Sequence, residues 1–327
     1  MKKFASALLA AALVLSLAAC GAKTEDNTPT DTKIPVIGIN QYGEHPSLDN
    51  CREGFIAGLS AAGLTEGEDF IIEYQNAGFD DNINIQIGQN FSANNVALMC
   101  GIATPSAMSC YAAAEDKDIP VVYVAVTDPV AAGLADGGIT GVSDKLAVEG
   151  QLALIRDMQP EATTIGIIYT LSEPNSVSAI AEYEEKAGEY GFTIAAYGIT
   201  AQSEVTLAVD ALINQGVDCF SNLTDNNVVG VLASILEKTN EAGIPVYGSE
   251  IEQVKIGCVA SVGIDYYVLG SQAGMMAARI LTGEKTVDEI PFETISQYSM
   301  YINSEALEEL GLEVSADIIS SALDTSK

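Results

Sequence analysis

The stretch Asp118–Asp144, DIPVVYVAVTDPVAAGLADGGITGVSD, decides the fold of this chain. It begins with an apolar, mostly β-branched run headed by Pro120, which is typical of a strand buried on both faces of a parallel sheet. The run ends in the polar pair Thr127 and Asp128, and ligands of open α/β sheets collect beyond the carboxyl ends of strands. A second short run, Ile139–Val142, leads through a Ser-Asp pair into a helical pattern. We interpret the stretch as one edge of a site, followed by a crossing into a second lobe.

Strand-like and helix-like patterns alternate on both sides of this stretch, as in an α/β fold with parallel sheets. The segment Val96–Ser106 has a counterpart at Val217–Asn226, and Asp118–Val121 has one at Gly243–Val246, each at an offset of roughly 120 residues that indicates a duplicated βαβ lobe. The tail pattern predicts one strand over Thr294–Ile302. We predict two Rossmann-like lobes joined by a hinge of several chain crossings, with residues 34–143 and 266–290 in the first lobe and residues 144–265 and 291–323 in the second.

Composition narrows the class of protein. The 327 residues include 45 acidic and 14 basic side chains, a formal net charge of -31, and 48% hydrophobic residues. This length and hydrophobic share suffice for two cores. The shortage of Lys and Arg argues against a nucleic-acid partner and against a polybasic membrane patch. We interpret the scattered acidic residues as a solvated surface.

The first residues predict export and lipidation. A positive start precedes the apolar segment Phe4–Ala19, which is shorter than the ~20 residues of a membrane-spanning helix. The sequence LAACG at residues 17–21 resembles the lipobox of bacterial lipoproteins, in which the cysteine thiol accepts a diacylglyceryl group. We predict a lipoprotein signal peptide over residues 1–20, with Cys20 anchoring an extracytoplasmic protein to the membrane; a plain secretory signal is the alternative. Residues 21–33 are polar and aperiodic and predict a disordered linker.

Several chemistries lack a motif in this sequence. The cysteines after Cys20 show no C-x-x-C spacing, so we predict buried thiols and no metal site, and we leave a Cys100–Cys110 disulfide open. Neither a G-x-G-x-x-G turn nor a P-loop is present, and no cofactor is predicted. His45 is the only histidine, which excludes multi-histidine metal sites. We predict that the chain is not an enzyme; a glycosidase-like carboxylate pair is the alternative.

Polar side chains at the predicted strand ends form the candidate ligand site. Thr104, Ser106 and Thr127 offer hydroxyls near helical N–H groups that can hold a carboxylate. Asp225 with Asn226 can accept an ammonium group, and helix capping is the alternative for these residues. His45, Asn175, Ser176 and Asp265 are further candidates, with capping or loop bracing as alternatives. The candidate set is completed by Gln41, Glu44, Asp128 and Ser249, and the tyrosines proposed to pack on an apolar ligand group are Tyr42, Tyr266 and Tyr267.

Together these segments resemble the substrate-binding lipoproteins of ABC importers, specifically the tryptophan-binding TrpX-like family. The resemblance spans residues 34–312. It rests on Gln41–Asp49 (QYGEHPSLD), Ala103–Ser106 (ATPS), Ala125–Pro129 (AVTDP), Gly141–Asp144 (GVSD), Asn175-Ser176, Thr224–Asn226 (TDN) and Gly263–Tyr267 (GIDYY). It implies a type I periplasmic-binding fold and an aromatic or similar amino acid as the ligand. It also implies a permease and its ATPase as partners.

We therefore predict a monomeric extracytoplasmic solute-binding lipoprotein that captures an amino acid between its lobes and delivers it to an ABC permease. Closure would place the ligand carboxylate near Thr104, Ser106 and Thr127, and the ammonium near Asp225. The alternatives are a ligand-sensing module without transport, a binder of a sugar or nucleoside, and a cleft enzyme. The absence of Trp removes one common platform for sugar stacking and favours an amino acid.

Overall fold

The structure is a computed structural model that describes residues 34–326. The predicted signal peptide, the Cys20 lipidation site and the linker lie outside the described residues. No helix within residues 34–326 combines the length and the apolar character needed to cross a membrane.

The first lobe contains a six-stranded parallel sheet with the spatial order β11-β5-β4-β3-β1-β2. Its strands, numbered in chain order, are β1 (Val36–Gln41), β2 (Ile71–Asn76), β3 (Leu98–Ile102), β4 (Val121–Val124), β5 (Ile139–Ser143) and β11 (Glu293–Thr294). Its helices are α1 (Pro46–Ala61), α2 (Asp81–Ala93), α3 (Thr104–Ala114) and α10 (Tyr266–Leu281). All four residues of β4 are buried, as its unbroken apolar run predicts.

The second lobe contains a four-stranded parallel sheet and a small mixed sheet. The parallel sheet has the order β7-β6-β8-β9, with β6 (Thr164–Thr170), β7 (Thr193–Ile199), β8 (Cys219–Ser221) and β9 (Val246–Tyr247). The mixed sheet contains β10 (Ala260–Gly263), β12 (Ser299–Ile302) and β13 (Leu323–Asp324). The helices are α4 (Val148–Met158), α5 (Pro174–Lys186), α6 (Val205–Gln215), α7 (Asn226–Val229), α8 (Leu232–Glu241), α9 (Ile251–Ile256), α11 (Ser304–Glu309) and α12 (Ala316–Ser321). Short 3-10 helices occupy Ala187–Tyr190, Gln202–Glu204 and Val287–Glu289.

Three chain crossings join the lobes, after β5, after β10 and after β11. The predicted single strand Thr294–Ile302 is wrong, because β11 pairs with β5 in the first sheet whereas β12 pairs with β10. Residues 295–298 between them form the third crossing. Residues 293–294 therefore lie in the first sheet and not in the second lobe, to which residues 291–323 were assigned.

After the second crossing the chain returns to the first lobe as α10, which packs closely against α1. A Cβ atom on Gly58 would lie 2.1 Å from the carbonyl oxygen of Ser271, and one on Gly274 would lie 2.1 Å from that of Phe55. The two helix backbones touch because these positions carry no side chain. This contact holds α10, which begins at the hinge, against the first sheet.

The described cysteines, Cys51, Cys100, Cys110, Cys219 and Cys258, are all buried and free. This confirms the expectation of buried thiols and answers the question left open for Cys100 and Cys110. Burial raises the pKa of the Cys110 thiol to about 12, so it stays protonated at neutral pH.

Candidate functional site

A cavity lies between the lobes, at the carboxyl ends of strands from both parallel sheets. The lobes are closed on it, and the space left in it for a water-sized molecule is about 20 Å³. The lining residues of the first lobe and hinge are His45, Ser47, Leu48, Ala103, Ala125, Thr127, Asp144 and Tyr266, and those of the second lobe are Asn175, Thr224, Asn226, Val229, Glu250 and Gln253. The predicted residues His45, Thr127, Asn175 and Asn226 thus come together in one cavity.

Side-chain hydrogen bonds close the lobes around this cavity. Their donor and acceptor pairs are Ser47 Oγ to Glu250 Oε1 (3.0 Å), Asn50 Nδ2 to Glu252 Oε1 (2.9 Å) and Ser178 Oγ to Asp128 Oδ2 (2.8 Å), with the Thr127 and Thr224 hydroxyls 3.3 Å apart. Asp128, a predicted ligand contact, therefore hydrogen-bonds to Ser178 across the lobes and does not line the cavity.

Two buried carboxylates, Asp144 and Glu250, give the cavity its charge. Asp144 accepts hydrogen bonds from the hydroxyls of Thr127 (3.0 Å) and Tyr266 (2.5 Å), and burial raises the pKa of its carboxyl group. Glu250 caps α9 through two backbone N–H groups, and burial raises its pKa to about 7. Among the described residues, no Lys or Arg lines the cavity. A cationic group is therefore the natural complement of this wall.

Neither carboxylate was predicted as a site residue, although the sequence carries a signal for both. Asp144 follows β5 directly, and Glu250 follows shortly after β9, so both stand at strand carboxyl ends. Among residues 34–326, no group of three or more His, Cys, Asp and Glu side chains is arranged to hold a metal ion.

The N-terminus of α3 forms the opposite kind of surface, one suited to an anion. The helix has 11 residues, no side-chain cap, and an N-cap residue, Ala103, with φ of +76°. Ala125, also in the cavity wall, has φ of +60°. Alanines rarely adopt this left-handed conformation, and such strain concentrates at binding sites. Thr104 Oγ1, at the same helix end, is buried and has no hydrogen-bond partner in the described chain, but Thr104 does not itself line the cavity. Uncapped N–H groups and a free hydroxyl can hold a carboxylate.

Asp225 is the N-cap residue of α7. Its carboxylate accepts hydrogen bonds from Thr170 N (2.6 Å), Thr170 Oγ1 (2.9 Å), Ser176 Oγ (2.7 Å) and Val228 N (3.0 Å). Neither Asp225 nor Ser176 lines the cavity. The predicted contact of Asp225 with the ligand ammonium is not made by this geometry, because four protein donors already occupy its oxygens.

Glu173 positions two of the cavity residues, and its role was not predicted from the sequence. The buried carboxylate accepts hydrogen bonds from Asn175 Nδ2 (3.1 Å) and Asn226 Nδ2 (2.6 Å), and from both nitrogens of Asn227. Burial, and then the nearby charge of Asp225, raise the pKa of Glu173 to about 8. Its position beside Pro174 in a loop carries no sequence signal for this network.

The remaining predicted residues lie away from the cavity lining, each with a structural partner or with solvent. Gln41 and Ser106 are held by side chains of their own lobe, Gln41 by Asp49 and Arg52, and Ser106 by Asn84 at 2.7 Å. The others are Glu44, which is exposed, Ser249, which accepts from Gln253, and Asp265, which caps α10. Of the three candidate tyrosines, only Tyr266 lines the cavity.

His45 is buried in the cavity wall with neither ring nitrogen hydrogen-bonded to a described residue. Its imidazole stacks on Phe79, with ring centroids 6.4 Å apart and an interplanar angle of 4°. Burial lowers the pKa of His45 to about 4, with weaker opposing effects of the Asn226 side chain and of Asp49. The imidazole is therefore neutral at physiological pH.

Comparison with known proteins identifies the family to which this chain is similar. The family model described as ABC transporter substrate binding protein matches residues 36–326. A tyrosine-binding protein of Clostridioides difficile (strain R20291) is 36% identical over 332 residues, covering 97% of this chain and 95% of that protein.

Two solved structures differ in how closely they superpose on this chain. An ABC domain from Streptococcus pneumonia in complex with L-Trp has a TM-score of 0.82 at 30% identity, covering 88% of this chain and 99% of its own. The ligand-free, open structure of a Clostridium difficile substrate-binding protein with adhesive properties has a TM-score of 0.66 at 34% identity, covering 89% of this chain and 100% of its own. The tryptophan complex therefore superposes better on this chain than the ligand-free, open structure, despite its lower identity. The neighbours also confirm the predicted type I periplasmic-binding fold.

Proposed function

This chain belongs to the ABC transporter substrate-binding proteins, and on that premise we propose that it captures an aromatic amino acid between its lobes for import. Proteins of this family bind small-molecule solutes outside the cytoplasm and work with an ABC permease; they are not enzymes. The proposal adds the ligand class, the residues that hold it and the mode of anchoring.

One observation carries the ligand proposal: the cavity pairs an acidic wall with an uncapped helix N-terminus. Asp144 and Glu250 supply buried negative charge where the described lining has no cation. The N-terminus of α3, which reaches the cavity at Ala103, supplies N–H donors for an anion. A zwitterion satisfies both, with its ammonium at Asp144 and Glu250 and its carboxylate at α3. In this proposal Asp144 takes the role first expected of Asp225.

The proposed aromatic side chain is supported by the rest of the wall and by relatives. Leu48, Ala125 and Val229 give the cavity an apolar portion, and apolar surface with a few placed polar groups is typical of sites for such ligands. The 36%-identical relative is named a tyrosine-binding protein, and the 30%-identical structure holds L-Trp.

Anchoring and delivery are the second part of the proposal. The LAACG motif supports lipidation of Cys20, which would tether a monomeric binding protein beside its permease. Metabolic labelling with a fatty-acid analogue tests this directly, because a Cys20→Ser variant should lose the label and appear in the medium. Uptake of labelled ligand in cells separates transport from a sensing role.

A thermal-shift screen of the full chain against the twenty amino acids, sugars and nucleosides tests the ligand class. A ligand at 100 times its Kd stabilises the folded state by about 2.7 kcal/mol, so aromatic amino acids should raise the melting temperature clearly. Asp144→Asn should weaken this response, whereas Glu44→Gln, which alters an exposed carboxylate outside the cavity, should preserve it. A response to sugars or nucleosides alone would reject the proposal.

A further inference from the structure

We infer that His45 recognises a hydrogen-bonding group on the ring of the bound amino acid, so that the protein selects ligands with a ring hydroxyl or N–H over phenylalanine. This inference rests on the proposed function and specifies its substrate class. It assigns to the only histidine of the chain a role in specificity.

The first support is that His45 makes no hydrogen bond of standard geometry with residues 34–326, although the side chain of Asn226 lies close enough to raise its pKa. Its side chain lines the cavity and its residue is 8% exposed, yet neither Nδ1 nor Nε2 forms a hydrogen bond with a described residue. Buried polar atoms are normally paired, and a neutral imidazole offers one donor and one acceptor. Asn226, its polar neighbour, commits its Nδ2 to Glu173 at 2.6 Å, so only its Oδ1 can face an imidazole N–H. At least one ring nitrogen of His45 is thus available to a ligand.

The second support is that the two structural roles open to His45 are not used. His45 stands at the N-cap position of α1, but its side chain makes no capping hydrogen bond. A histidine that braces a loop would do so through a ring nitrogen, and both are unpaired. Capping and bracing therefore do not account for a histidine at this position.

The third support is that packing holds the imidazole in place without using its nitrogens. Phe79 stacks on one face of the ring and also meets Tyr42 edge-on, with centroids 6.0 Å apart. Phe79 itself lies over Gly43, where a Cβ atom would be only 1.9 Å from its ring. The position of the imidazole is therefore set by stacking, which leaves its polar edge free to select a ligand.

The fourth support is charge. Burial keeps His45 neutral, so a neutral phenol or indole N–H complements it better than the ammonium or carboxylate of the ligand. Those charged groups have their own partners in Asp144, Glu250 and the N-terminus of α3. Asn175 Oδ1, also in the cavity wall and without a hydrogen-bond partner among residues 34–326, is a second acceptor open to the ligand.

Calorimetric titration of the full chain with L-tyrosine, L-tryptophan, L-phenylalanine and 4-methyl-L-phenylalanine tests the inference. The last ligand matches tyrosine in size but cannot hydrogen-bond at that position. We expect tyrosine to bind about 30-fold or more tightly than both phenylalanines, because binding either of them leaves His45 unpaired. This comparison uses the unmodified protein and is independent of any effect of mutation on folding.

Two variants then assign the selectivity to His45. His45→Phe preserves stacking on Phe79 and should reduce the tyrosine preference to about 3-fold or less, with phenylalanine binding retained. His45→Gln keeps a donor and an acceptor and should retain part of the preference, and Glu44→Gln should retain all of it. Equal affinities in the unmodified protein, or an unchanged preference in His45→Phe, would overturn this inference and leave the proposed function standing. Failure of every aromatic amino acid to bind would overturn both.

Discussion

Acidification from pH 7.5 to pH 5.5 is expected to weaken amino-acid binding by about 25-fold. Burial raises the pKa of Glu250 to about 7 in the ligand-free cavity, and only its ionised form attracts an ammonium group. The ionised fraction then falls from about three quarters at pH 7.5 to about 3% at pH 5.5. Apparent affinity scales with the competent fraction, which gives about 25-fold, or about 1.9 kcal/mol.

The sign of this effect follows from proton linkage. A bound ammonium lowers the pKa of Glu250, so binding near neutral pH releases a proton and is favoured as the pH rises. The pKa of Asp144 is also raised by burial, and an ammonium bound beside it would lower that pKa as well. His45, whose pKa lies at about 4, stays neutral across the window and contributes little to it.

Calorimetry at each pH, in two buffers of different ionisation enthalpy, measures affinity and proton release together. Glu250→Gln should flatten the pH profile, whereas Glu44→Gln, a change to an exposed carboxylate outside the cavity, should leave it unchanged. Constant affinity across the window in the unmodified protein, or tighter binding in acid, would refute the placement of the ammonium at these carboxylates.

Three further predictions concern stability, all measured by urea unfolding. The folded-state pKa of Glu173, about 8, exceeds its unfolded value, so its stabilising contribution is present below about pH 4.3 and is lost as the pH rises to 8. The unmodified protein should therefore lose stability relative to Glu173→Gln over that range. The opposite trend would contradict the burial argument. Asp225→Ala should lower the free energy of unfolding by about 2–4 kcal/mol, because it leaves buried donors unpaired; a loss below about 1 kcal/mol would show that the network is dispensable. Gly274→Ala should destabilise by about 1–3 kcal/mol despite the higher helix propensity of alanine, whereas Gly188→Ala, where nothing lies within 4 Å of the added carbon, should not.

The sequence predicted where the site would be more reliably than which side chains would form it. Thr127 and Asn226 line the cavity because each follows a strand, and strand carboxyl ends meet at the same edge of a parallel sheet. Asp225 shares that location but faces away from the cavity. The difference lies in the partners Thr170 and Ser176, which are distant in sequence and come together only through sheet packing.

At the hinge, too, the sequence predicted a local pattern but not the partners that it meets in the folded protein. The apolar pattern of Thr294–Ile302 resembles one strand, yet its two ends pair with different sheets. Periodicity reports which faces of a segment are apolar, but not which strand lies beside it. The break into two strands is therefore a property of the assembled lobes.

Local chemistry along the chain was enough to establish the alternation of strands and helices, the duplication of a lobe, the polar strand ends and the family resemblance, because each depends on neighbours within a few residues. Folding alone decided that Asp144 and Glu250 face the cavity while Asp225 is saturated, and that buried His45 makes no hydrogen bond of standard geometry with residues 34–326. Burial and hydrogen-bond partners are set by contacts between residues as much as 203 positions apart, such as Ser47 and Glu250. Those contacts determine the pKa values and the free polar atoms through which the cavity would recognise its ligand.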